Sequence, residues 1–149
     1  MTIEIRSDIG FTAQLPEGSL ILEESQAGPD SEQISLPGDV LFSIERITDL
    51  VHDYAEATEW TEKSAAYYQQ EFDGAVLTQG RLQSPGKEVY AVAVSFADAE
   101  QTPRIATVIG IRFLSGEFFG LTLISVHADP QPQADLQLIQ SLVDGIELS

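Results

Sequence analysis

The chain contains 149 residues, with 24 Asp and Glu against 7 Lys and Arg, which gives a formal net charge of −17. This charge argues against nucleic acid as a partner, because binding to phosphates depends on Lys and Arg. The absence of Cys excludes disulfides and thiol chemistry, and no apolar run reaches the roughly 18 residues that a membrane helix needs, so direct membrane insertion is not expected.

Length and hydrophobic content predict one folded domain. Hydrophobic residues make up 43% of the chain and occur along all of it, and a chain of this length can bury a core without a metal or a disulfide. We therefore expect a single domain over residues 1–149. Residues 1–6 show neither the basic nor the apolar region of a secretory signal, so the expected location is the cytoplasm.

The first third of the chain is predicted to be β-structure. Residues 3–15 form a strand with a turn or bulge at Ser7–Gly10, and Leu20–Leu22 form a short strand after the Pro16–Gly18 turn. Residues 23–32 are polar and are expected to form a surface loop. A further strand is predicted at Val40–Ile47, where apolar residues again dominate.

A helix is predicted between Asp49 and Phe72, where apolar side chains recur at steps of three and four. Asp49 or Asp53 can cap its first turn by accepting backbone N–H bonds, and Gly74 can supply a left-handed residue after its end. Two shorter helices with a break at Thr58–Thr61 are the alternative.

Strands dominate the second half of the chain, which closes with a helix. The predicted strands are Val76–Gln83, Glu88–Phe96, Arg104–Leu114 and Glu117–His127, and the closing helix is Ala134–Ile146. The two strands Glu88–Phe96 and Arg104–Leu114 are mostly apolar on both faces, so both faces must be covered by helices, loops or another molecule. The Ser115–Gly116 turn predicts a hairpin between the last two strands.

The order of these elements resembles the PsbP-like superfamily, which includes the bacterial DcrB-related proteins and the Mog family of Ran-binding proteins. The residues that carry the resemblance are Gly10–Phe11, the Leu15–Gly18 turn, the strand end Ile44–Ile47, the helix start Asp53–Glu56, the segment Arg112–Phe119 and the closing Ile139–Ile146. The resemblance implies an α+β fold in which a mostly antiparallel, twisted sheet of five to seven strands is flanked by helices. It also implies a non-enzymatic role in binding another protein, as in DcrB-related adaptors that shield transmembrane segments of secreted toxins.

No catalytic, cofactor-binding or metal-binding set is predicted. His52 and His127 are the two His residues, too few for a structural zinc site in a chain without Cys. Ser84–Lys87 matches the S-x-x-K string of acyl-transfer enzymes, but the Pro85–Gly86 pair between them predicts a turn. The 24 carboxylates are too numerous for any single pair to indicate acid–base catalysis.

Two groups of residues are the predicted partner-binding sites. Trp60 and Tyr67, with Ser64 between them, fall on a helix stripe offset from the main apolar one. The two aromatic residues either pack in the core or, if exposed together, bind a partner. Leu20, Ile21 and Leu22 become a second site if their short strand lies at an exposed sheet edge.

The leading functional hypothesis is a non-enzymatic protein-binding module, a cytoplasmic adaptor or chaperone-like protein. Its partner would be a basic protein, which the negative field attracts, a protein with exposed apolar segments, or a second copy of this chain. The alternative is a small-ligand-binding protein or a carboxylate-based hydrolase with a cleft between sheet and helix.

Overall fold

The computed structural model describes residues 2–7, 9–22, 30–126 and 136–148, which form ten strands and two helices. The elements are β1 (Thr2–Arg6), β2 (Phe11–Pro16), β3 (Leu20–Ile21), β4 (Ser31–Leu36), β5 (Val40–Ile47), α1 (Tyr54–Phe72), β6 (Ala75–Ser84), β7 (Lys87–Ala97), β8 (Pro103–Phe113), β9 (Phe118–Val126), α2 (Leu136–Gly145) and β10 (Glu147–Leu148). Neither helix is both long and apolar enough to cross a bilayer, within the part of the chain that is described.

The strands form two antiparallel sheets. The larger sheet has seven strands in the order β3-β4-β5-β9-β8-β7-β6, and the smaller has the order β1-β2-β10. All of the strand pairs are antiparallel. The predicted fold class, a mostly antiparallel sheet of five to seven strands flanked by helices, is confirmed. The separate small sheet was not predicted.

The seven-stranded sheet is covered on both faces at its centre. Helix α1 packs on one face, against β7 and β8. The small sheet and α2 supply the layer on the other face, where Phe11, Leu15, Phe119 and Leu142 share one buried core. The apolar pattern of β7 and β8 is thus satisfied inside the chain, so these two strands give no support to a partner surface.

Helix α1 is continuous from Tyr54 to Phe72, so the alternative of two shorter helices is wrong. Asp53 caps its start by accepting a hydrogen bond from the Glu56 N–H at 2.8 Å. The left-handed residue at its end is Asp73, with φ of 52°, and not Gly74 as expected. Gly74 is required for another reason: a Cβ at this position would meet the Val94 side chain at 2.8 Å.

The predictions for residues 3–36 need two corrections. The single strand predicted at 3–15 is a hairpin of β1 and β2, which turns within residues 7–10. The predicted loop at 23–32 ends early, because β4 begins at Ser31; residues 23–29 lie outside the described residues. Only Ile34 and Leu36 of β4 are apolar, and the strand is stabilised by pairing with β5 rather than by a long alternating pattern. Two alternating apolar residues before the Pro37–Asp39 turn were too short a pattern to predict the strand from sequence.

Asp98 organises the loop between β7 and β8. Its carboxylate accepts hydrogen bonds from Arg104 Nε at 2.8 Å and from the N–H groups of Thr102 and Glu100 at 2.9 Å. The Arg104 bond, followed by the Thr102 N–H bond, lowers the pKa of Asp98 below its ordinary value of 3.8.

We expect Asp98→Asn to lower the free energy of unfolding at neutral pH. A carboxyl whose pKa is depressed in the folded state stabilises the fold above its unfolded pKa, and this contribution is lost as the pH falls through the folded pKa. The difference between wild type and variant should therefore shrink below pH 3.8 in urea titrations at a series of pH values. Glu100→Gln in the same loop is the control, and a difference that does not change with pH would contradict the assignment.

Candidate partner-binding groove

Rows of residues cross the seven-stranded sheet with their side chains on the α1 side. One row runs Leu20, Ser35, Leu41, Ile124, Ala106 and Val94, each residue opposite the next in an antiparallel pair. Residues opposite one another in such pairs share a face of the sheet. Val94 and Ala106 are buried beneath α1, Leu41 and Ile124 are half-buried, and Leu20 is 66% exposed. Cover by the helix thus diminishes steadily toward β3.

The α1 side of β3, β4 and β5 forms an open face. In the described part of the chain, neither helix packs on this half of the sheet. We define the open face by its α1-side residues, which are Leu20, Leu22, Ser31, Gln33, Ser35, Leu41, Ser43 and Glu45. It combines three Leu with uncharged polar residues and one carboxylate.

Trp60 of α1 forms one wall of the groove beside the open face. Its ring meets the Phe118 ring edge-on, with centroids 5.4 Å apart. Gly120 of β9 lies directly beneath the indole, since an added Cβ there would overlap the ring. Trp60 is partly buried for this reason. The indole is therefore held by packing while one side borders the groove.

The wall continues along α1 through Ser64 to Tyr67 and Tyr68. Tyr67 is 53% exposed and meets Tyr68 edge-on, with ring centroids 5.1 Å apart. Tyr68 also contacts the Phe96 ring at 5.2 Å, which fixes this end of the helix on the sheet. Burial, and secondly the neighbouring Tyr67, raise the pKa of Tyr68 above its ordinary value of 10.0.

The groove between this wall and the open face has a volume of about 400 Å³. Its described lining consists of Ser31, Ser43, Ile44, Glu45, Trp60, Ser64, Tyr67, Tyr68, Gly120 and Thr122. Glu45 is the charged residue in that lining, which contains neither Lys nor Arg. Aromatic rings and one carboxylate suit a segment that is apolar or basic.

We expect Gly120→Ala to displace the Trp60 ring and to destabilise the fold by about 1–3 kcal/mol through overpacking. The measurement is urea denaturation followed by circular dichroism. The reference is the same change in a Trp60→Leu background, where the smaller side chain leaves room for the new methyl group. A cost that is equal in the two backgrounds would show that the indole contact is not its source.

The structure places the two groups of residues predicted as partner-binding sites near one another. Trp60 and Tyr67 line the same groove, and Leu20 and Leu22 lie on the open face that extends from it. Ile21 points to the opposite face, because it pairs with the buried Ile34. Ser64, which falls on the same helix stripe as Trp60 and Tyr67, also lines the groove. Sequence reasoning missed Glu45, because this residue reaches the groove only through strand pairing.

A second hollow of about 200 Å³ lies on the other face of the sheet, beside the start of α2. Its floor is made of small side chains, among them Gly80, Ala91 and Ala93, and Leu136 and Ile139 border it. The described lining of this hollow contains no carboxylate. Apolar groups supply most of its surface, and Thr78, Gln79, Arg81 and Thr107 also line it.

Hydrogen bonds lower the pKa values of Asp98 and Glu117, chiefly those from Arg104 and from the Ser115 hydroxyl, respectively. His52 lies just before α1 with its Nδ1 3.1 Å from Glu56 Oε1, and His127 lies outside the described residues. Within the described ranges, no cluster of three His, Cys, Asp or Glu side chains is placed to hold a metal ion.

The sequence matches no protein-family model and no curated protein. The solution structure of cyanobacterial PsbP (CyanoP) from Synechocystis sp. PCC 6803 is similar, with a TM-score of 0.60 over 99% of this chain and 92% of that chain. The two sequences are 12% identical, so the likeness concerns the fold alone. The PsbP-like fold predicted from the sequence is therefore confirmed.

Proposed function

We propose that this protein is a non-enzymatic protein-binding module of the adaptor or chaperone-like kind, whose partner binds in the groove between α1 and the open face. The observation that carries the proposal is the pairing of Trp60 and Tyr67 along one groove that no described element fills. Tyr67 is exposed, and Trp60 is packed on Phe118 and Gly120 with one side on the groove. Aromatic residues that border a concave, partly apolar surface are typical of binding hot spots.

The chemistry of the partner follows from the groove and from the net charge. The groove offers aromatic faces, a carboxylate and no cation among its described residues, and the whole chain carries a charge of −17. A partner segment that is basic, apolar or both would gain contact area and favourable electrostatics, whereas an acidic segment would be repelled.

Affinity capture with matched variants tests the proposal. Wild type, Tyr67→Ala and the control Leu114→Ala, which removes a 70% exposed side chain after β8, would each be used as tagged bait in native cells. We expect one protein to be captured by wild type and control and to be lost with Tyr67→Ala, and the capture to weaken at high salt. Identical captured sets for the three baits would contradict the proposed groove.

The finer expectations from the sequence belong to this proposal. We include in it a DcrB-related or Mog-type relationship, which the motifs from Gly10 to Ile146 support. We also include a cytoplasmic location. A second copy of the chain is an alternative partner. Sedimentation velocity tests whether the purified protein is a dimer, and cell fractionation tests the location.

A small apolar ligand is the second candidate, favoured by the hollow beside α2. Its small-residue floor at Ala91 and Ala93 leaves space that an apolar molecule could fill. Native mass spectrometry of the purified protein would show such a ligand as retained mass. Ala91→Leu, which fills part of the hollow, should remove that mass, while Tyr67→Ala should not.

A further inference from the structure

Strand β3 forms one edge of the seven-stranded sheet, and no described strand pairs with its outer side. The Leu22 N–H donates to the Gln33 carbonyl of β4 at 2.8 Å. Because hydrogen-bonding directions alternate along a strand, the N–H and C=O of Ile21 are directed away from β4. The edge therefore presents a backbone donor and acceptor outward.

The two edges of this sheet differ in how they limit pairing. Edge strand β6 has a bulge between Val76 and Thr78, and it carries Gly80 and the charged Arg81. Bulges and charges of this kind hinder the addition of another strand. Strand β3 with its continuation Leu22 consists of three exposed apolar residues, without Lys, Pro or a charge. The β3 edge thus keeps the capacity to pair that β6 has lost.

The sequence around β3 is strongly acidic. Residues 7–45, which include β2 to β4 and most of β5, contain no Lys or Arg. The same residues contain eight carboxylates, namely Asp8, Glu17, Glu23, Glu24, Asp30, Glu32, Asp39 and Glu45. Since this stretch of sequence carries no positive charge and Glu45 lies on the open face, a basic segment is favoured over an acidic one.

We propose that the β3 edge binds an extended, basic segment of a partner protein by strand addition, with alternate apolar side chains of that segment on the open face. The proposal rests on the proposed function and specifies the partner's conformation and charge. In strand addition, main-chain hydrogen bonds supply affinity and alternate side chains supply specificity. Since β3 is only two residues long, contacts with Leu20, Leu22 and the groove supply much of the binding.

Selection from a displayed library of random peptides tests this mode directly. The purified full chain is the bait, and the selected peptides are resynthesised and titrated at low and high salt. We expect them to be rich in Lys and Arg, to alternate apolar residues and to lack Pro. N-methylation at the backbone positions that face β3 should weaken binding tenfold or more, while methylation at the intervening positions should not. Amide exchange at Ile21 should slow when a peptide is bound.

Variants of the chain separate this inference from the proposed function. Leu20→Lys places on the edge a positive charge, which repels a basic peptide and hinders strand pairing. Leu20 is already exposed, so the fold should persist. Ile21→Pro removes the outward donor, and circular dichroism shows whether that variant is folded. Strand addition predicts loss of peptide binding in both folded variants.

The outcomes are distinct. If Tyr67→Ala abolishes binding and Leu20→Lys leaves it unchanged, the groove binds the partner and strand addition is wrong. Failure to select any peptide, or selection of acidic peptides, would also overturn strand addition. If neither Tyr67→Ala nor Leu20→Lys weakens the binding of the selected peptides, neither the groove nor the edge is the partner site.

Discussion

Phe119→Ala should destabilise this protein by about 3–5 kcal/mol, the range for truncating a buried Phe. Phe119 is fully buried on β9, and its ring meets those of Phe11 and Phe113 edge-on, with centroids 5.9 Å away in each case. Phe11 belongs to the small sheet, so the Phe119 ring joins the two sheets. The Arg46 guanidinium lies 5.7 Å from the same ring and would lose this contact as well.

Urea denaturation of Phe119→Ala checks the expected loss, with Leu114→Ala as the matched control. Leu114 is 70% exposed and lies just after β8, so its truncation should change stability by less than about 0.5 kcal/mol. Phe119→Leu keeps part of the side-chain volume, so its free energy of unfolding should fall less than that of the Ala variant. This second variant can still be measured if Phe119→Ala does not fold. Equal losses for the variants at positions 119 and 114 would show that the ring does not join the sheets.

Lys87→Met should cost about 2–4 kcal/mol, because it removes a buried cation from the carbonyl groups that it satisfies. The Lys87 side chain is only 2% exposed. Its Nζ donates to the carbonyls of Val143 and Asp144 at 2.9 and 3.2 Å and to Glu147 Oε1 at 3.3 Å. The last turn of α2 contains no basic residue of its own. Lys87 therefore supplies the positive charge that favours a helix C-terminus.

The control for Lys87→Met is Lys63→Met on α1. Lys63 pairs with Glu59 at 2.6 Å, but both side chains are exposed, so the loss should be below about 0.5 kcal/mol. Hydrogen exchange adds a local test: the amides of α2 should lose protection in Lys87→Met more than those of α1. Uniform loss of protection across the chain would argue against a role specific to α2.

Local pattern was sufficient for much of the fold. The three- and four-residue spacing from Tyr54 to Phe72 predicted α1, because burial of Ala57, Thr61 and Ala65 on one side requires that spacing. The Pro85–Gly86 turn was also predicted correctly, since Ser84 and Lys87 pair across it. Both side chains contact the end of α2, with Ser84 Oγ 2.8 Å from Asp144 Oδ1. The Ser and Lys of the S-x-x-K string thus join the β6–β7 turn to the end of α2.

Short elements were harder to predict. Strands β4 and β10 contain few apolar residues, and β10 is only two residues long. β4 is stabilised by pairing with β5, and β10 by pairing with β2. These strands therefore depend on contacts with their neighbours in the sheet rather than on the local preference of their own residues. A pattern of two alternating apolar residues cannot by itself distinguish such a strand from a loop.

The sequence by itself determined the acidic character, the lack of Cys and the position of α1, since composition and periodicity are local properties. The α+β arrangement was implied by the resemblance of the element order to the PsbP-like superfamily. Only the tertiary structure decided where Trp60, Tyr67, Leu20 and Leu22 lie relative to one another. Their shared surface depends on the strand order β3-β4-β5-β9 and on Gly120, which leaves room for the Trp60 ring. Pairing between strands distant in sequence sets that order, and side-chain periodicity carries no information about which strands become neighbours.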